Sequence, residues 1–129
     1  MPVAENNVTT GAVVIPFQPS IGNYRFGTTL NDIQYIFDVH WNARDNDGQG
    51  AWYFDILEID ETIILRNIKI VLGAYLGRQS SHRLFTEGAM LAYDTSNADK
   101  EAGFDDISTR VEVIYIPVLE LIVRLAGPP

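Results

Sequence analysis

Cysteine is missing altogether from this sequence. That removes disulfide frameworks, thiolate zinc sites and cysteine nucleophiles. Only two histidines are present, so a zinc site built from this chain alone would need carboxylates to complete it. Basic residues are scarce as well: nine Lys and Arg stand against seventeen Asp and Glu, a formal net charge of -8. Proteins that bind nucleic acids neutralise phosphates with clustered basic side chains, and no such cluster occurs, so direct DNA or RNA binding is not expected. A surface of this sign repels a polyanion. No stretch approaches the ~20 apolar residues of a membrane helix. The opening residues, Met1-Pro2-Val3-Ala4-Glu5, have neither the basic segment nor the apolar core of a signal peptide. The expectation is a soluble chain made in the cytosol, with no membrane partner. A phosphate-cradling glycine loop is also absent, and no cofactor is expected.

What remains is the composition of a folded domain. Apolar residues make up 47% of the chain and charged residues 20%, far from the disordered class. At 129 residues the chain is one domain, large enough for its own core. Residues 1–10 are polar and read as an arm. The run Ala12-Val13-Val14-Ile15-Pro16-Phe17, stopped by proline, suits an edge strand.

From there the periodicity is two. Residues 24–30 form a short strand, and Asn31-Asp32 supplies turn chemistry. In 33–42, Tyr35, Phe37, Val39 and Trp41 alternate with Gln34, Ile36, Asp38, His40 and Asn42, the pattern of a half-buried strand. A polar loop, 43–50, leads to 51–60, where Trp52, Phe54 and Ile56 share a face, and the two aromatic strands predict a hairpin. The third long strand, 62–72, sets Ile64, Ile68, Ile70 and Leu72 on one face together with Arg66. Being apolar on both faces, it belongs either at the centre of a sandwich or against another chain. Residues 74–86 are the one candidate for a short helix, with Ser80-Ser81 arguing against it. Strands at 89–93 and 110–116 follow, separated by a polar loop. After Pro117, Leu119, Leu121, Val123 and Leu125 alternate with Glu120, Ile122 and Arg124. The fold predicted is all-β, a small antiparallel β-barrel or β-sandwich with extended terminal arms. Its divisions are 1–22 for the N-terminal arm and edge strand, 23–117 for the β-domain, and 118–129 for a C-terminal strand or tail. That last strand either completes the chain's own sheet or pairs with a neighbour, making Leu119, Leu121, Val123 and Leu125 the candidate interaction residues.

Catalytic constellations are weak. Asp45-Asn46-Asp47-Gly48 echoes the start of a calcium loop, but the twelfth position, where a bidentate Glu is required, is Ile56; a hairpin turn wants the same residues. His40 shares a strand face with Asp38 and Asn42 and reads as a solvated residue. Ser80-Ser81-His82 lacks the strand-to-helix glycine turn that exposes a nucleophile. The pairs Asp105-Asp106 and Glu87 with Asp94 imitate glycosidase carboxylates only by composition. No enzymatic activity is expected. A carbohydrate-binding β-sandwich, with Trp41, Trp52 or Tyr53 as a stacking platform, is the alternative from another class, though tryptophans on alternating strands more often fill the core.

An ordered series of motifs points elsewhere. Trp41-Asn42-Ala43-Arg44, Trp52-Tyr53-Phe54-Asp55, Ile68-Lys69-Ile70-Val71-Leu72-Gly73, Glu87-Gly88-Ala89-Met90-Leu91 with Asp94, and Asp105-Asp106-Ile107 with Arg110-Val111 and Tyr115 resemble the baseplate plug proteins of contractile-tailed phages, notably cyanophages. The resemblance spans roughly 23–117 and marks Trp41, Asn42, Arg44, Trp52, Asp94, Asp105 and Asp106 as core or motif residues. It implies a structural virion protein at the hub of the tail baseplate, made in the host cytoplasm. The implied partners are hub, spike, tail-tube and wedge proteins and copies of itself in three- or six-fold symmetry. Two departures concern turns: the family pattern often has glycine where Ser108 stands, and another near Glu61.

Overall fold

The computed structural model describes residues 12–98 and 100–117. Its elements in chain order are β1 (Val13–Val14), β2 (Asn23–Leu30), β3 (Ile33–Asn42), a 3-10 turn (Asn46–Gly48), β4 (Ala51–Glu58), β5 (Ile63–Lys69), β6 (Tyr75–Leu76), α1 (Arg83–Thr86), β7 (Gly88–Asp94) and β8 (Val111–Pro117). The strands form two four-stranded antiparallel sheets, ordered β2-β3-β4-β5 and β1-β8-β7-β6. There is no closed barrel; the sheets pack as a sandwich.

The first sheet is a meander because its loops are local. Asn31 and Asp32, with φ 53 and 64, form the two-residue link between β2 and β3. Asn and Asp accept left-handed backbone more readily than other side-chain-bearing residues. The β3–β4 hairpin sets Trp41 opposite Trp52, Val39 opposite Phe54 and Phe37 opposite Ile56, so three successive inward pairs meet across it. Phe17 packs edge-on against Phe26, Phe37 and Phe54, with ring centroids 5.3 to 5.9 Å apart. The second sheet faces them with Met90, Ala92, Val111, Val113 and Tyr115, all buried. Pro16 ends β1, yet Ile15 and Phe17 on either side of it are buried, and the Ile15 N–H donates to Val113 O at 2.8 Å. The edge-strand segment thereby also supplies core.

One expectation needs correction and another narrows. Of the two places expected for the isoleucine-rich third strand, the centre of the sandwich is excluded, and the strand is not regular: β5 is an edge strand. Leu57 pairs with Ile63, Ile56 with Leu65 and Phe54 with Ile68, so β5 carries one extra residue in each interval. Asn67 absorbs a bulge at φ 53, and its N–H donates to the Asp55 carboxylate at 2.8 Å. The slip turns Leu65 toward the core and leaves Arg66 exposed, so Arg66 does not share the face of Ile68 and Ile70. Bulges of this kind protect an edge from further pairing. The helix candidate at 74–86 shrinks to α1 alone. Gly77 at φ 74 ends β6, and the Ser80 hydroxyl takes the His82 N–H in a turn before His82 Nδ1 caps the helix by accepting from the Leu84 N–H at 3.0 Å.

Candidate functional site

Two of the motif acids, Asp94 and Asp106, converge on one cation. The Arg110 guanidinium donates to Asp94 Oδ2 at 2.5 Å and Asp106 Oδ2 at 3.2 Å, and to the carbonyls of Lys100 and Glu101 at 2.9 and 2.8 Å. Asp106 also accepts the Gly103 N–H at 2.8 Å. Burial pushes the Asp94 carboxyl up, but hydrogen bonds from the Ser96 hydroxyl and N–H and the Lys100 N–H, with the Arg110 charge, outweigh it and hold the group down at about 2. The loop between β7 and β8 is thus clasped to the strands it connects. Asp105 accepts from the Ser20 hydroxyl, which fastens the same loop to the segment before β2.

What the clasp holds is a lid on the tryptophans. Gly103 O accepts from Trp52 Nε1 at 3.1 Å. Phe104 stacks flat on Trp52, centroids 5.7 Å apart and planes 5° apart, and meets Trp41 at 5.5 Å. Trp52 is 1% exposed and is unavailable as a sugar platform; Trp41 is half-buried beside it. Asn42 accepts the Arg44 N–H at 3.1 Å, a turn contact at the start of the hairpin loop. Every motif residue except the Arg44 side chain therefore has a fold-building contact.

The remaining chemical candidates are occupied in the same way. Asp45 caps the 3-10 turn through the Asn46 N–H, accepts from the Tyr53 hydroxyl and pairs with Lys69 at 3.2 Å. These contacts, that of Tyr53 foremost, hold its carboxyl below the ordinary range. The loop is a hairpin turn, and among the described residues no group of three or more His, Asp or Glu is placed to hold a metal. His40 stacks on Tyr53 across the outer face of the first sheet, 5.7 Å apart and 7° from parallel. Both ring nitrogens of His82 face structural partners, the Leu84 N–H and, at 3.6 Å, Glu58. Glu87 and Asp94 flank β7 at opposite ends and do not form a pair.

The two outer faces differ in charge: the first sheet carries ion pairs beside a short apolar row, Ile36–Leu57–Ile63. On the first sheet, Arg25 grips Asp38 at 2.6 and 2.8 Å and reaches Glu61 at 3.3 Å, and His40, Tyr53 and Lys69 line the neighbouring row. On the second sheet, pairing aligns Val14 with Ile114, Ile114 with Leu91 and Leu91 with Tyr75. The result is an apolar row across all four strands, and Val14 and Tyr75 at its ends are 51% and 53% exposed. Ile116 and Ala89 form the next pair toward the chain ends, and Tyr93 donates to Glu112 at 2.6 Å in the row on the other side. Glu112 is the only charge among the outward positions of these strands.

This face is what sequence reading missed. The signal was present in Val111-Glu112-Val113-Ile114-Tyr115-Ile116, where even positions are nearly as apolar as odd ones. Phe104, the lid, carries no local pattern that singles it out, and Arg110 belongs to a recognised motif whose sequence does not say that it is the centre of the clasp. Leu119, Leu121, Val123 and Leu125 lie outside the described residues.

A protein-family model described as the cyanophage baseplate Pam3 plug gp18 matches residues 12–118. No curated protein matches the chain.

Proposed function

Since the chain belongs to the cyanophage baseplate plug family, we propose that it is a non-catalytic structural subunit of a contractile phage tail, located in the virion at the baseplate centre. It assembles there with hub, spike, tail-tube and wedge proteins and with copies of itself in three- or six-fold symmetry, after synthesis in the host cytoplasm. The observation that carries the assembly reading is the apolar row Val14–Ile114–Leu91–Tyr75 on the outer face of the second sheet. Monomeric proteins keep large contiguous apolar patches off their surfaces, and such patches mark interaction sites. The opposite outer face has a shorter apolar row, Ile36–Leu57–Ile63, flanked by ion pairs.

The test has two arms. Particles assembled without this protein are expected to lack complete baseplates, and Tyr75→Glu with Leu91→Glu is expected to reproduce the defect in a folded protein. Normal baseplates in both cases would refute the assembly role. Purified protein is expected to turn over no peptidoglycan, polysaccharide, ester or nucleotide substrate. Turnover lost on replacing Glu87, Asp94, His40 or His82 would overturn the non-catalytic reading.

A further inference from the structure

A groove of about 270 Å³ opens beside the apolar row, lined by Tyr75, Leu76, Phe85, Gly88, Ala89 and Met90, with Arg78 at its rim. It exists because β6 contributes only two residues. Pairing between β6 and β7 stops at Leu76 opposite Met90, so Gly88 and Ala89 have no strand partner on that side among the described residues. On its other side Gly88 pairs with Pro117, the last residue of β8. Twelve residues follow Pro117, and their apolar side chains Leu119, Leu121, Val123 and Leu125 alternate as a strand's would.

We infer that this groove receives residues 118–125 of a neighbouring copy of the same chain, pairing as an added strand along Gly88 and Ala89. The proposal deepens the self-assembly part of the reading above and rests on it. Three features carry it. First, the segment is apolar on one face, and an eight-residue extended strand spans at most ~26–29 Å, ample for the groove. Second, Glu120 stands between Leu119 and Leu121, so a strand seated by its leucines turns a carboxylate outward above the groove, within reach of a long side chain such as that of Arg78, which lines it. Third, the groove opens on the β6 side of β7, whereas β8 leaves on the other side. The first residue of β7 and its lead-in through Thr86 and Glu87 stand between them, so a chain would have to reverse around them to fill its own groove. A straight exit from β8 delivers the segment to a neighbour instead. A contact between a strand on one copy and a groove on the next is heterologous, and it closes into a ring when its rotation divides the circle.

The absence of cysteine makes a clean test available. Full-length Ala89→Cys and Leu121→Cys proteins, each verified as folded by its denaturant midpoint, are mixed and oxidised. The expected product is a covalent pair containing one chain of each kind, formed well above the level given by either protein alone or by a control pair using Asp47→Cys, at the far hairpin loop. The double variant is expected to give covalent ladders. Disulfides confined to single chains of the double variant would place the segment in its own groove and overturn the proposal, as would the absence of any bond. Either failure leaves the baseplate assignment standing, because loss of the protein from baseplates is read separately in particles.

Discussion

The indole of Trp41 lies directly over Gly50. A Cβ built on that glycine would sit 1.9 Å from Trp41 Cζ2, and Gly50 itself has φ 91. The close approach brings the hairpin loop back beneath the tryptophan, whose ring also meets Trp52 at 5.1 Å. Gly50→Ala therefore meets both a steric and a backbone penalty. It is expected to cost about 2–4 kcal/mol, read as a lowered urea midpoint; an unchanged midpoint would show that Trp41 moves aside freely.

Ser108 offers the opposite case. Its φ is 65, a conformation that costs a residue with a Cβ roughly 1–2 kcal/mol and glycine nothing comparable. Glycine loses more entropy on folding, by roughly 0.5–1 kcal/mol. The balance predicts that Ser108→Gly stabilises the fold by up to ~1 kcal/mol. Glu61, at φ 69, shares the geometry but also pairs with Arg25, so Glu61→Gly is expected to gain less. Thermal melts of the two variants, compared with the parent, check the order.

The two tryptophans separate by burial. Trp52→Ala removes a fully buried ring and its hydrogen bond to Gly103, and should cost ~3–5 kcal/mol. Trp41→Ala, half-buried at the rim, should cost less. If instead both variants kept their stability and lost binding to an immobilised glycan, the rings would be a sugar platform.

Acid should open the clasp. The Asp94 carboxyl is held at about 2, below the ordinary carboxylate value near 3.8. A depressed value means that the unfolded chain takes the proton first, so the contribution is complete above ordinary carboxylate pH and is lost as pH falls from about 4 toward 2. Asp94→Asn is expected to be less stable at neutral pH and to show a shallower loss of stability across that window. Equal slopes for parent and variant would rule out Asp94 as the titrating group.

Alkali should act on Tyr115. Its hydroxyl donates to Leu84 O at 2.6 Å and accepts from Asn31 at 3.1 Å. Burial foremost, then proximity to Tyr35 and Glu87, pushes it up to about 12. A raised value means that the unfolded chain ionises first, so stability present below pH 10 is lost as pH rises toward 12. Tyrosinate absorbance of the native protein is expected to leave at least one tyrosine silent until unfolding, and Tyr115→Phe is expected to remove that late step. Full titration before unfolding would contradict the burial.

Strands β2, β3 and β4 of the first sheet were legible because their signal is local. Tyr35, Phe37, Val39 and Trp41 on one strand and Trp52, Phe54 and Ile56 on the next state their own faces, and Asn31-Asp32 states its own turn. The family motifs were legible for a related reason: Asp94, Asp105, Asp106 and Arg110 stand at recognisable spacings, although the pairing of Arg110 with Asp94 and Asp106 is visible only in space. Alternation failed at β5, since a bulge at Asn67 shifts the phase and no composition rule locates a bulge.

From its sequence alone, this chain is an acidic, cysteine-free, all-β domain with the motif order of a baseplate plug. Those properties depend on composition and on neighbours within a strand. Tertiary structure decided the choice of a sandwich over a barrel, the edge position of β5 and the clasp of Arg110 over the Trp41–Trp52 pair. It also decided which of two comparable sheets turns an apolar face outward. Each depends on how strands far apart in sequence pair, and the alignment of Val14, Ile114, Leu91 and Tyr75 into one row exists only once β1, β8, β7 and β6 lie side by side.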